Sequence, residues 1–149
     1  MTDLDIIDDI SRNCLLSASR RLSRIVTAIY DDELRPHGIK ASQLNLLVVI
    51  AKTGPVRRSK ISRYADIDPS TLTRNLAVML SNGWIEDVVA GDDGRGNPLR
   101  ITSLGRDLID AVAPGWRRAQ RRARDCLGDR MIALTSPVDG PKDKKTEAE

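Results

Sequence analysis

The stretch from Asp68 to Thr102 constrains this chain more than any other, because it changes its structural signal several times in a short span. Asp68-Pro69-Ser70-Thr71 reads as a helix start: the aspartate can accept a backbone N–H at the N-cap, and proline is pre-organised for the first helical position. The helix launched there carries Leu72, Leu76 and Met79 on one side and runs to Asn82. Gly83 follows where a left-handed terminating residue is wanted. Two strands, Trp84–Val89 and Leu99–Thr102, then flank the turn-rich tip Gly91-Asp92-Asp93-Gly94-Arg95-Gly96-Asn97-Pro98, which reads as a hairpin.

Upstream, apolar residues from Ile7 to Ile29 recur at helical spacing and predict one long amphipathic helix, ending near Arg35, Pro36 and Gly38. A second helix is expected over about Ser42–Lys52, closed by Gly54-Pro55, then an extended residue at Val56 and a brief helix over about Ser59–Tyr64. After the hairpin, Thr102 or Ser103 starts a last long helix carrying Leu104, Leu108, Ile109, Val112, Trp116, Ala119, Ala123 and Leu127, with a kink predicted near Pro114-Gly115. Asp129–Leu134 adds barely two turns before Ser136-Pro137. Helix, tight turn, capped helix and two-stranded hairpin in that order make a winged helix-turn-helix. The fold class is therefore mainly α (α+β): a winged helix-turn-helix DNA-binding lobe with long N- and C-terminal dimerisation helices. The expected organisation is one domain over 1–134, with dimerisation helices at about 5–34 and 103–134 and the winged lobe at about 41–102. The polar residues 135–149 form an expected disordered tail.

Charge supports a polyanion partner. Residues 1–33 carry four basic and seven acidic groups, whereas residues 34–80 carry eight basic groups against two acidic ones. A concentrated positive field attracts DNA, since each neutralised phosphate releases condensed counterion. On the exposed side of the Asp68–Asn82 helix, Ser70, Thr71, Thr73, Arg74 and Asn75 offer donors and acceptors to a major groove. Arg74 suits guanine because its planar fork donates twice, and Asn75 suits adenine or a phosphate. Arg58, Ser59 and Lys60, at the start of the preceding short helix, complete the candidate DNA-binding set in the lobe. With one histidine and two cysteines in the chain, a metal site is poorly supplied; no cofactor is expected and no cluster suggests an enzyme. No apolar run is long enough to span a bilayer, which reads as a cytoplasmic protein.

Within this frame the sequence resembles the MarR family of transcription regulators over about residues 12–130. The strongest piece is Asp93-Gly94-Arg95-Gly96-Asn97-Pro98-Leu99-Arg100-Ile101-Thr102, with Gly105 continuing it. Leu34-Arg35-Pro36-His37-Gly38-Ile39 with Ser42-Gln43-Leu44, Pro69 through Leu76, and Asn82-Gly83-Trp84-Ile85 support it in order. The resemblance implies a homodimer whose terminal helices interlock, a pseudo-palindromic double-stranded operator, Arg95 as the wing-tip arginine for the minor groove and Asp93 as the acid that orients it. It also implies a small aromatic effector between the dimer helices and the lobe, with Ile25, Leu47 and Trp116 as the expected pocket. Cys14 and Cys126 are read either as packed apolar residues or as a redox pair resembling that of organic-hydroperoxide regulators. In the expected dimer, the acidic start of the first helix meets the partner's counterparts of Arg117, Arg118, Arg121, Arg122 and Arg124. The expected function is sequence-specific transcription regulation, as a repressor released by a ligand or oxidant; the rival is a winged-helix protein-interaction module without DNA binding.

Overall fold

The computed structural model describes residues 3–89 and 96–135. Helix α1 (Asp3–Asn13) is followed by α2 (Leu15–Leu34), a 3₁₀ turn at Arg35–His37, α3 (Ala41–Thr53), α4 (Arg58–Ala65) and α5 (Pro69–Ser81). Strands β1 (Ile85–Asp87) and β2 (Leu99–Ile101) pair antiparallel with Ile85 opposite Ile101, and α6 (Ser103–Thr135) closes the described chain. Val56 adds an isolated antiparallel bridge to Leu99, with an N–H···O bond of 2.9 Å in each direction.

The core gathers where the lobe meets the long helices. Leu34 from the end of α2, Leu46, Leu47 and Ile50 of α3, Ile61 of α4, Met79 of α5, Ile85 and Leu99 of the wing, and Val112 of α6 are all almost wholly buried. Aliphatic side chains do nearly all of this filling, as a chain without phenylalanine requires. Farther along, Ala119 and Ala123 let α6 lie close to α2.

Two expectations about helix continuity are corrected. The predicted single first helix is two, separated at Cys14, whose backbone is extended (φ −66°, ψ 110°). Cys14 N–H closes α1 on the Ile10 carbonyl at 3.2 Å and Ala18 N–H opens α2 on that of Cys14 at 3.0 Å, so both helices are hydrogen-bonded up to the break. Asn13 and Cys14 are both weak helix formers, so a local break there costs little. In α6 the predicted kink at Pro114-Gly115 is not where the helix departs from helical geometry. The backbone stays helical through Pro114, and the departure falls at Gly128 (φ 70°, ψ 164°), a conformation for which glycine is suited. Packing against α2 supports the proline turn: a Cβ on Gly115 would sit 2.9 Å from the Glu33 carbonyl oxygen. The helical residues after Gly128 run to Thr135, the first residue of the expected tail, and the remainder of that tail lies outside the described residues. Among the described residues no helix is long and apolar enough to cross a membrane.

The arginine cluster of α6 is also partly reassigned. Arg118 Nε binds Glu33 at 2.7 Å, and Arg122 Nη1 binds Asp32 at 3.0 Å and Glu33 at 2.9 Å, so these two serve the end of α2 in their own chain. Their expected meeting with the acidic start of a partner's first helix therefore does not fit this structure.

The junction of the wing with α6 leaves no room for a side chain at Gly105, whose added Cβ would overlap the Trp84 carbonyl oxygen and the Ile101 side chain. Gly105→Ala is expected to lower unfolding free energy by about 2 kcal/mol or more, an overpacking cost measurable by chemical denaturation. A variant as stable as the parent would contradict this packing.

Candidate nucleic-acid interface

Helix α5 begins as its sequence demands. Asp68 stands at the N-cap in extended conformation (φ −66°, ψ 149°), and its Oδ1 accepts the Thr71 N–H at 2.9 Å. The same oxygen accepts the Ser70 hydroxyl at 2.6 Å. Hydrogen bonds from Ser70 and then Thr71 hold the Asp68 carboxyl well below the usual carboxylate range. Leu72, Leu76 and Met79 face the core, and Gly83 takes the expected left-handed conformation (φ 70°).

The opposite face stays available. Ser70, Thr73 and Arg74 are exposed, while Thr71 and Asn75 are half-buried. Thr73 spends its hydroxyl hydrogen on the Pro69 carbonyl at 2.8 Å, so it presents a methyl group and an acceptor rather than a donor. Arg74 touches the Thr71 hydroxyl at 3.5 Å with one nitrogen, a long contact that leaves most of the guanidinium fork for another partner.

On α4, Ser59 and Lys60 are exposed, and Arg58 is not free. Its Nη1 donates to the Asn97 carbonyl at 3.3 Å, and its Nη2 meets Asp87 Oδ1 at 3.2 Å. The neighbouring Arg57, which sequence alone does not single out, donates to the Gly96 carbonyl at 3.3 Å. The only hint of it in the sequence is the pair of arginines opening a helix, where the dipole disfavours cations. Across the wing, Arg100 Nε pairs with Glu86 at 2.7 Å. Asp93 and Arg95, the expected wing-tip pair, lie outside the described residues.

A second feature is a cleft of about 650 Å³ between α2, α3 and α6. Tyr30, Leu44, Val48, Ile109 and Trp116 line it, with Asn45 and Arg117 as polar members. Of the three expected pocket residues only Trp116 is present. Leu47 is closed into the core, because α3 is apolar on more than one side and Leu44 and Val48 take the cleft face instead; Ile25 stands exposed farther back on α2. The Tyr30 hydroxyl donates to Gln120 Oε1 on α6, and burial pushes its phenol pKa up, which keeps it a donor. Cys14 is half-buried and Cys126 exposed, so dense packing does not describe the latter. Hydrogen bonds from Ser17 at the start of α2 lower the Cys14 thiol pKa. Among the described residues no group of three or more His, Cys, Asp or Glu side chains could hold a metal ion.

A family model described as MarR family matches residues 37–96. The transcriptional regulator MosR of M. tuberculosis, solved in complex with DNA, is 31% identical, with a TM-score of 0.69 over 82% of this chain and 92% of that one. The multiple antibiotic resistance protein MarR of Salmonella typhimurium is 26% identical over 108 residues, covering 71% of this chain and 75% of the relative. A mutant MarR from E. coli complexed with operator DNA shares the fold, with a TM-score of 0.73 at 19% identity over 85% of this chain and 91% of that one.

The Asp68 cap has a pH signature. A carboxylate whose folded pKa lies below its ordinary value of 3.8 contributes stability that is fully present above that value and is lost as pH falls below it. Asp68→Asn, which keeps a capping oxygen without the charge, is expected to shrink the loss of stability on acidification below about pH 4. Parallel acid-unfolding curves for parent and variant would show that the charge at this cap does nothing.

Proposed function

Because this chain belongs to the MarR family of transcription regulators, we propose that it is a sequence-specific DNA-binding regulator, a repressor that leaves its operator when a ligand or oxidant acts on it. The observation that carries this reading is α5: a capped helix with its apolar side locked in the core and Ser70, Thr71, Thr73, Arg74 and Asn75 on the other side, followed directly by a wing. Arg74 reads a base edge and Asn75 a second base or a phosphate. Ser59 and Lys60 contact the DNA backbone, and Arg95, oriented by Asp93, enters the minor groove from the wing. Similarity to MosR, whose structure contains DNA, supports the same use of this lobe. Acting on DNA, the protein works in the cytoplasm.

The active form is a homodimer. Ile6, Ile7, Ile10, Leu15 and Leu16 are all exposed in the single chain, from 40% for Ile6 to 84% for Leu15. A second copy is the occupant that matches two recognition helices to a pseudo-palindromic operator, with half-sites about 34 Å apart. The geometric requirement also supplies release, since a modest rotation of the lobes prevents both helices from reaching their half-sites.

The test is a salt-dependent titration of the full chain against DNA from its own upstream region. Arg74→Ala is expected to cost about 1–3 kcal/mol at the cognate site and to relax specificity at one base pair. Equal loss on every DNA sequence would make Arg74 a backbone contact, and absence of any sequence-selective binding by the parent would favour the protein-interaction module.

The cleft beside Trp116 is the effector site in this reading, suited to a small aromatic ligand by its apolar walls and the Arg117 and Asn45 margin. Trp84 is 7% exposed and Trp116 42%, so quenching of indole fluorescence by a hydroxylated aromatic acid is expected to come from Trp116 and to vanish in Trp116→Leu. Quenching that survives this substitution would place the ligand elsewhere. In the oxidant alternative Cys14, whose thiol pKa Ser17 hydrogen bonds lower, is the sensing thiol, and full DNA release by peroxide in Cys14→Ser would exclude it from that role.

A further inference from the structure

The hairpin that forms the wing has little to hold it. Only three residues of each strand pair, and beyond them the Val88 N–H reaches the Pro98 carbonyl and Val56 bridges Leu99. A two-stranded ribbon of this length is marginal by itself, yet its tip has to reach a groove at a fixed distance from α5. Arg57 and Arg58 open α4 at the end where the helix dipole disfavours positive charge, so an interaction outside the helix must offset that placement. The structure supplies it. One Arg58 guanidinium spans the wing, touching Asp87 where the chain leaves β1 and the Asn97 carbonyl where it returns toward β2. Arg57 adds a bond to the next carbonyl outward, that of Gly96. A planar fork with donors on two nitrogens can make both contacts at once, which an ammonium cannot do in the same geometry.

We propose that Arg58 is a wing-positioning residue: it clamps Asp87 and the Asn97 carbonyl to the start of α4 and so fixes the separation between wing and recognition helix, rather than neutralising a phosphate. The functional consequence rests on the DNA-binding reading above; the clamp itself does not. The competing arrangement treats Asp87 as a placeholder that a DNA phosphate displaces, leaving Arg58 as a backbone ligand. The two differ in sign. If Arg58 braces, removing Asp87 weakens DNA binding. If Asp87 merely occupies an arginine meant for phosphate, removing it strengthens binding, and does so only while Arg58 is present.

The experiment uses the full chain with Arg58→Ala, Arg58→Lys, Asp87→Asn and the Arg58→Ala/Asp87→Asn pair, and reads two quantities. In the free protein, amide hydrogen exchange at Val88 and Leu99 is expected to quicken about tenfold or more in all four variants, while Leu76 and Met79 of α5 stay protected. On operator DNA, each single variant is expected to weaken binding about tenfold, and the pair no more than the worse single. The logarithmic salt slope should stay unchanged, and protection of the flanking minor groove should be lost. Arg58→Lys decides most directly, because it restores a charge but not the bridge. Rescue by lysine, a salt slope reduced by about one phosphate in Arg58→Ala, or tighter binding in Asp87→Asn alone would overturn the proposal. If the parent binds no DNA, the regulator reading falls, and unchanged exchange at Val88 and Leu99 would still overturn the clamp.

Discussion

The structure depends on the close approach of Gly105 to Trp84. The Trp84 carbonyl accepts the Thr102 N–H at 3.1 Å, and the Thr102 hydroxyl lies 2.6 Å from the Gly83 carbonyl and 3.1 Å from that of Trp84. That hydroxyl oxygen also accepts the Gly105 N–H at 3.1 Å, capping α6. The end of the recognition helix, the return strand of the wing and the first turn of α6 thus share one small polar junction beneath a buried indole. Any side chain at residue 105 would push these elements apart. Without this contact α5 and the wing would have no fixed attitude relative to α2 and α6.

Electrostatics divide the molecule along the same line. Acidic groups at the end of α2 are consumed by Arg118 and Arg122, so the positive field of the lobe is not cancelled from that side. Within the lobe, cations fall into two groups: Arg58 and Arg100 are engaged inside the wing, whereas Arg74 and Lys60 face outward. A count of charges along the sequence cannot separate these groups, because a guanidinium that braces a hairpin and one that meets a phosphate contribute equally to net charge.

This explains what the sequence discloses. Elements with a chemical boundary marker are legible: Asp68-Pro69 opens α5, Gly83 closes it, and Thr102 starts α6. The apolar stripe Leu72, Leu76 and Met79 also tells which face of α5 is left for a partner. The break at Cys14 leaves no mark in the sequence, because neither glycine nor proline stands there and the apolar spacing continues across it. Pro114 misleads for a different reason: the cost of a proline depends on what packs against its turn, and the Gly115 contact with α2 is tertiary. The cleft is only partly legible. Trp116 is found through the resemblance to the MarR family, but α3 is apolar on several sides, so periodicity cannot say whether Leu47 or Leu44 and Val48 face the opening.

Four consecutive residues at the end of α2 each hold something different. Tyr30 bonds Gln120 of α6, Asp31 accepts the first N–H of α3 from Ala41 at 2.7 Å, Asp32 meets Arg122, and Glu33 is gripped by Arg118 and Arg122. Successive helical residues point about 100° apart, so the four holds together fix the rotation of α2 about its own axis. This last turn acts as a spline on a shaft. Residues can be inserted or lost near Leu15 and Leu16, where α2 is exposed, with local effect, but a single insertion between Tyr30 and Glu33 would turn each side chain to its neighbour's partner. Length variation in chains of this kind should therefore collect at the outer end of the helix and avoid its inner one.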